Sequence, residues 1–214
     1  MKSLRYLLII AALHSFVSAH SQGIKGTVIL KLGNKLEGTI TQLNLTGENN
    51  DLVYVETTTT EISKKKRSRT SSTITEKNGY NPAIISRVII EGKTYLFKDL
   101  RYGYDDKEIF QNCLVQQYFG NDSLAIYEWK NAKGETGYYV SSPRFTEYAE
   151  DINHPKYEGD GFGSFTGLKF SRCRELAKKI YDREPGYFYN SKQNSTEEKL
   201  AVWKRIMEEY MKCF

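Results

Sequence analysis

Cys113, Cys173 and Cys213 are the residues of this 214-residue chain most suited to chemistry. A thiolate attacks electrophiles, binds soft metals or pairs with a second sulfur. Nucleophilic catalysis also needs a base within reach, and a zinc site needs further nitrogen or sulfur ligands. Histidine supplies neither in quantity, since His14 and His20 lie in the first 20 residues and His154 is the only other. A His-rich zinc site within one chain is excluded on that count. A serine or cysteine hydrolase would have to recruit His154, which precedes Pro155 in a loop-like stretch with no nucleophile motif beside it. Cys113, inside the apolar run "NCLVQQYF", reads as a buried core thiol.

Carboxylates are the second class. With 26 acidic residues a glycosidase-type pair could be drawn from many positions, but no local pattern marks one. Asp151, Glu158 and Asp160 carry suitable oxygens for calcium without the spacing of an EF-hand loop, so no metal is expected. The stretch "EGDGFG" places Gly159, Gly161 and Gly163 at a spacing unlike that of a dinucleotide loop, with no Gly-Lys-Ser/Thr after it. It reads as loop glycine, no cofactor is expected, and no catalytic residue is assigned. The basic run Lys64, Lys65, Lys66 and Arg67, with Arg69 beyond Ser68, is sharper. Such a cluster suits phosphates or acidic sugars at a surface. It equally suits a solvated hairpin tip that resists edge-to-edge pairing. Sixteen tyrosines, in stretches such as "GYYV" and "GYFYN", could stack on sugars or fill a half-buried sheet.

The elements that must position these residues change along the chain. From Gly26 to about Ser142 the apolar residues alternate, as in strands. Val28, Leu30 and Leu32 share one face, Gly33-Asn34 supplies a turn, and Leu36, Gly38 and Ile40 return. The Thr/Ser-rich runs on either side of the basic cluster predict a second, longer hairpin or a mobile loop. "AIISRVIIEGKTYLFKDL" turns at Glu91-Gly92, and "NCLVQQYF", "SLAIYEWK" and "TGYYVSS" continue as a meander. Eight or nine strands without intervening helices favour an antiparallel sandwich or partly open barrel over a parallel sheet. Residues 143–167, rich in glycine and without period, read as a linker or structured loop.

Helical period follows over 168–214. Leu168, Cys173, Leu176, Ala177 and Ile180 form one stripe, and Leu200, Trp203, Ile206, Met207, Tyr210 and Cys213 form another. Ser195, with Glu198 three residues on, predicts a capping box at the start of the second helix. In an antiparallel helical hairpin the start of one helix lies beside the end of the other, so Cys173 and Cys213 are expected to form a disulfide.

Export makes that bridge available. Lys2 and Arg5, the apolar run Leu7 to Leu13 and the small residues around Ala19 have the order of a signal peptide, expected over residues 1–21 with cleavage after Ser21, or else after Ala19. About 190 residues then remain, enough for one domain with a small appendage. No later run approaches the ~20 apolar residues of a membrane helix. Removing Lys2 and Arg5 leaves 29 basic against 26 acidic residues, a net charge of +3, too balanced to argue for nucleic acid as a partner.

The order of features resembles a group of uncharacterised secreted proteins from Bacteroidota. The resemblance rests on the Gly26 strand, "KLEG", the segment "YNPAIISRVIIEGKTY" (Tyr80, Pro82, Ile85, Gly92, Tyr95) and the cysteine-bearing helix pair. That group often closes with Tyr-Asn-x-Cys. Here Tyr210 and Cys213 match while Met211 replaces the asparagine, and Arg172 and Arg174 flank the first cysteine in place of an Asp-Cys-Pro-like setting. The resemblance implies export and cysteine pairing, and it implies no activity. The expected molecule is mainly β with an α tail (α+β): a β domain over 22–142, the linker over 143–167 and a two-helix hairpin over 168–214. Its expected role is an exported, non-catalytic envelope or extracellular binding or structural module, in the periplasm, on the outer-membrane surface or outside the cell. Its partner would be an envelope protein or a glycan. The alternative is an envelope polysaccharide hydrolase using paired carboxylates.

Overall fold

The computed structural model describes residues 23–47, 50–65, 68–105, 107–121, 123–143 and 145–214. The expected signal peptide lies outside them. Ten strands follow in chain order: β1 Ile24–Leu30, β2 Lys35–Thr41, β3 Val53–Lys65, β4 Ser68–Tyr80, β5 Ile85–Ile90, β6 Lys93–Arg101, β7 Ile109–Asn121, β8 Leu124–Lys130, β9 Thr136–Ser142 and β10 Phe145–Asp151. Among the described residues three α-helices come after them, α1 Gly161–Lys169, α2 Arg174–Tyr181 and α3 Thr196–Met211. The chain is mainly β with a helical tail.

One sheet contains all ten strands, in the order β10-β9-β8-β7-β6-β5-β1-β2-β3-β4. Strands β6 to β10 curl into a closed ring, because β10 also pairs in parallel with β6, Tyr148 to Glu150 running beside Asp99 to Arg101. The other pairings are antiparallel, so in place of the expected antiparallel sandwich or partly open barrel the sheet forms a closed five-stranded barrel that continues through β5, β1, β2 and β3 to β4. Alternation sorts the side chains. On β8, Ala125, Tyr127 and Trp129 fill the barrel with Leu100, Cys113, Val115, Tyr139 and Ala149. Leu124 and Ile126 point the other way and meet the helices through Trp203, Ile206 and Met207. A third cluster, including Val28, Ile40, Val55 and Val88, lies under β1, β2, β3 and β5. Glu91 and Gly92, both at positive φ, make the tight β5–β6 turn where it was expected.

Three local expectations fail. Leu32 does not continue the β1 stripe, because β1 stops at Leu30 and Leu32 sits in the turn, 93% exposed. Residues 143–167 are not a linker. They hold the strand that closes the barrel, a 3-10 turn at Pro155–Tyr157 and most of α1. The first helix of the tail is also two helices. The chain breaks at Phe170 to Cys173, which resets the phase, so Leu168 is exposed and Phe170 takes the core position. The capping box at Ser195 is present, its hydroxyl accepting from Glu198 N–H while the Glu198 carboxylate accepts from Ser195 N–H.

Candidate functional site

Cys173 and Cys213 are joined as a disulfide, with Cα atoms 6.0 Å apart. Cys173 stands at the N-cap of α2 and is buried. Cys213 lies two residues past the end of α3 and is exposed, so it does not end the buried stripe as the helical spacing suggested. The bridge ties the tail's last residues to the α1–α2 corner. Cys113 is fully buried inside the barrel, its thiol 3.8 Å from the Gln111 carbonyl. That is the core position expected of it.

His154 has both ring nitrogens engaged. Nδ1 accepts from Lys156 N–H at 3.1 Å and caps the 3-10 turn, which leaves the proton on Nε2, donated to the Gly103 carbonyl at 3.0 Å. Burial pushes its pKa down, so the ring is neutral. A residue held this way organises a turn and is not poised as a general base.

Beside it lies a buried cluster of titratable groups. Glu150, on the closing strand β10, contacts Lys156 through one carboxylate oxygen and Lys169, from the last turn of α1, through the other. Tyr157 donates a third bond to Glu150 at 2.9 Å. Glu150 and Lys169 are buried, and Lys156 nearly so. Burial alone would raise the Glu150 carboxyl, but Lys169 and Lys156 outweigh it and hold the pKa at about 2. Burial, together with the neighbouring Lys169, brings Lys156 down to about 8. One carboxylate clamps the 3-10 turn and α1 onto the barrel's closing strand.

Gly163 of "EGDGFG" serves the neighbouring contact between α1 and α2. A Cβ on Gly163 would come 3.2 Å from the Ile180 carbonyl oxygen, and one on Gly167, four residues on, would come 2.8 Å from the Tyr181 ring. These glycines let α1 lie against α2, and they form a helix, not a phosphate cradle. The three acids weighed for calcium go to separate partners: Asp151 to Asn153 N–H, Glu158 to Lys192 and Asp160 to Arg183.

Among the described residues, open clefts are lined mainly by strands. One of about 320 Å³ lies beside Lys31, Pro82, Lys98 and Asp99, and one of about 290 Å³ lies between Leu45, Tyr95, Leu114 and Glu128. The third, about 520 Å³, is a trough over β1 and β2 that Glu37, Glu56 and Glu91 line. Glu37 is fully exposed and held below the usual carboxylate range by Lys35, the reverse of what a glycosidase general acid requires.

The basic run sits at the end of a projecting arm. Strands β3 and β4 pair without a register shift from Val53 facing Tyr80 to Lys65 facing Ser68. Strand β2 reaches only Tyr54 to Glu56 of β3. The pairs from Thr57–Glu76 outward therefore leave the sheet as a two-stranded ribbon, roughly 30 Å long at ~3.4 Å per residue. Lys64 faces Arg69 at its far end, and Lys66 and Arg67 lie outside the described residues. Strands β3 and β4 thus form the longer hairpin, one of the two expectations for this region, with Lys64, Lys65 and Arg69 at its far end.

Sequence reasoning missed the Glu150 cluster and the barrel closure. A signal for the strand was present, because "RFTEYAED" brings Phe145, Thr146 and Tyr148, residues that favour strands, into a stretch read as linker. In comparison with known proteins, the chain matches no family model, no curated protein and no solved structure. Among the described residues no helix is long and apolar enough to cross a membrane.

Proposed function

We propose that this is an exported, non-catalytic cell-envelope or extracellular module whose contact element is the β3–β4 arm. The arm itself carries the reading. An isolated two-stranded ribbon is marginal in water, and this one runs on beyond its pairing with β2 to carry Lys64, Lys65 and Arg69 at its end. A barrel braced by a clamped helical tail is a rigid base for such a projection. The chemistry of the tip suits an anionic partner, either an acidic glycan or an acidic face of an envelope protein. The order of residues in 1–21 and the Cys173–Cys213 bridge support export. The hydrolase alternative has weaker support, since the acids of the trough over β1 and β2 include the lowered Glu37.

The test uses the chain beginning at Gln22, with Lys64, Lys65, Lys66, Arg67 and Arg69 all changed to Gln. The parent protein is expected to bind a sulfated-polysaccharide resin and to elute as salt rises, because exposed charges are screened within about 10 Å at 0.1 M salt. The neutralised protein, with an unchanged circular dichroism spectrum, is expected to pass through unretained. Equal retention of both would sink the reading.

A further inference from the structure

Closing the barrel consumes one edge of the ten-stranded sheet, since β10 pairs with β6 as well as β9. The other end of the order is β4, and among the described residues β4 pairs only with β3. Its outer edge is open for all thirteen residues of the strand, whereas β3 is open only beyond Glu56. Residues 73–79 are exposed, the strand has neither proline nor bulge, and the charges that could oppose pairing along it are Arg69, Glu76 and Lys77. Natural sheets seldom leave a long, straight edge in that state, because its unpaired N–H and C=O groups are a template for another strand.

We propose that β4 pairs antiparallel with β4 of a second copy of this chain, about a two-fold axis through Ile74. The inference does not rest on the anionic-contact reading, because it uses the edge of the ribbon and not its tip.

Two arguments select a second copy in this register. The first is charge. A parallel pairing would stack one basic tip on the other, and like charges placed opposite each other are destabilising. An antiparallel pairing carries each tip past the root of its partner. The second is strand geometry. Residues that face each other across an antiparallel ladder both turn their backbone groups toward the partner or both turn away. Two copies of one strand therefore pair residues of equal parity, which puts the axis on a residue and not between two.

An axis on Ser72 would set Arg67 opposite Lys77, and one on Thr73 would set Arg69 opposite Lys77. An axis on Ile74 avoids both, placing Ser71 opposite Lys77, Ser72 opposite Glu76 and Thr73 opposite Thr75. An axis on Thr75 shortens the overlap and sets Ile74 against Glu76. Ile74 is also the large apolar side chain in the middle of the strand, and it is 45% exposed. On the axis it packs against itself.

The ladder phase agrees. Lys65 and Ser68 pair with two residues between them, a spacing at which the closing pair of a hairpin is hydrogen-bonded, so the even residues of β4 bond to β3 and the odd ones aim outward. Ile74 then meets its copy in a non-hydrogen-bonded pair, whose Cα separation of about 4.5 Å falls within disulfide range.

The chain beginning at Gln22 is the material for the test. Sedimentation equilibrium over a concentration series is expected to give twice the monomer mass. Thr73→Pro, which removes an outward N–H at the open edge, is expected to return it to the monomer mass. Among single-cysteine variants Ser72→Cys, Thr73→Cys, Ile74→Cys and Thr75→Cys, mild oxidation is expected to cross-link Ile74→Cys into a covalent dimer several-fold faster than the rest. A monomer at every concentration overturns the pairing. A dimer that survives Thr73→Pro and cross-links at none of the four positions overturns the edge. Preferential cross-linking at Thr73 or Thr75 overturns the register.

Discussion

Glu150→Gln is expected to cost about 3–5 kcal/mol of unfolding free energy, because it removes the buried carboxylate that the Lys156 and Lys169 ammonium groups share. Lys156 and Lys169 both reach Glu150, and Tyr157 donates to it as well. An amide keeps the shape but no longer offsets the charge of either lysine at this point. Replacing the whole group by apolar residues of similar size, as in Glu150→Leu with Lys156→Met and Lys169→Met, is expected to cost far less, since it removes the charges together with their desolvation penalty.

The same carboxylate predicts an acid limb. Its folded pKa of about 2 lies below the ordinary value of 4.5. A group depressed on folding stabilises fully above its unfolded pKa and loses that contribution as pH falls toward the folded one. Stability from Glu150 is therefore complete above pH 4.5 and declines between 4.5 and about 2, by about 3 kcal/mol in all. Urea unfolding at neutral pH and along an acid series measures both effects. The variant should show a shallower acid limb. If Glu150→Gln unfolds within about 0.5 kcal/mol of the parent, the size of an ordinary surface substitution, the clamp is not cohesive.

The clamp also explains which parts of the fold were legible. Strands β1, β2 and β5 to β9 announce themselves because one face of each is apolar and the turns between them carry glycine or asparagine. Strand β10 does not, because its buried positions include Glu150, and a charged residue facing inward reads as loop. The partners that make Glu150 tolerable, Lys156 and Lys169, lie 6 and 19 residues away, beyond any local pattern. Helix α1 was hidden for a different reason. Gly161, Gly163 and Gly167 lower its helix propensity, and only the proximity of Ile180 and Tyr181 shows why the last two are there. In α2 and α3 the opposite holds: Leu176, Ile180, Trp203 and Ile206 are buried where the spacing placed them. The ribbon could be read from the Thr, Val and Ile content of β3 and β4, but its projection could not, because nothing in β3 says that its pairing with β2 stops at Glu56.

Loss of the Cys173–Cys213 bridge is expected to cost about 4 kcal/mol, the chain-entropy value for a loop of roughly 40 residues. The effect should be concentrated in the tail. The bridge encloses α2 and α3, whose side chains Leu176, Ile180, Trp203, Ile206 and Met207 form most of the helical core against the barrel. Without it, α3 is still held by Trp203, whose indole N–H donates to the Tyr189 hydroxyl, and by the salt bridge from Lys179 to Glu209. What is lost is the covalent tie at the far end, where Cys213 is exposed and the Phe214 ring packs on Tyr210. Cys173→Ser with Cys213→Ser should therefore speed amide exchange in the last turns of α3 before it affects the barrel strands. Chemical reduction of the parent should reproduce that pattern, leaving Cys113 protected inside the barrel. Alkylation of the unreduced, unfolded chain decides whether the bridge exists: one labelled cysteine, Cys113, is expected, and three would remove it.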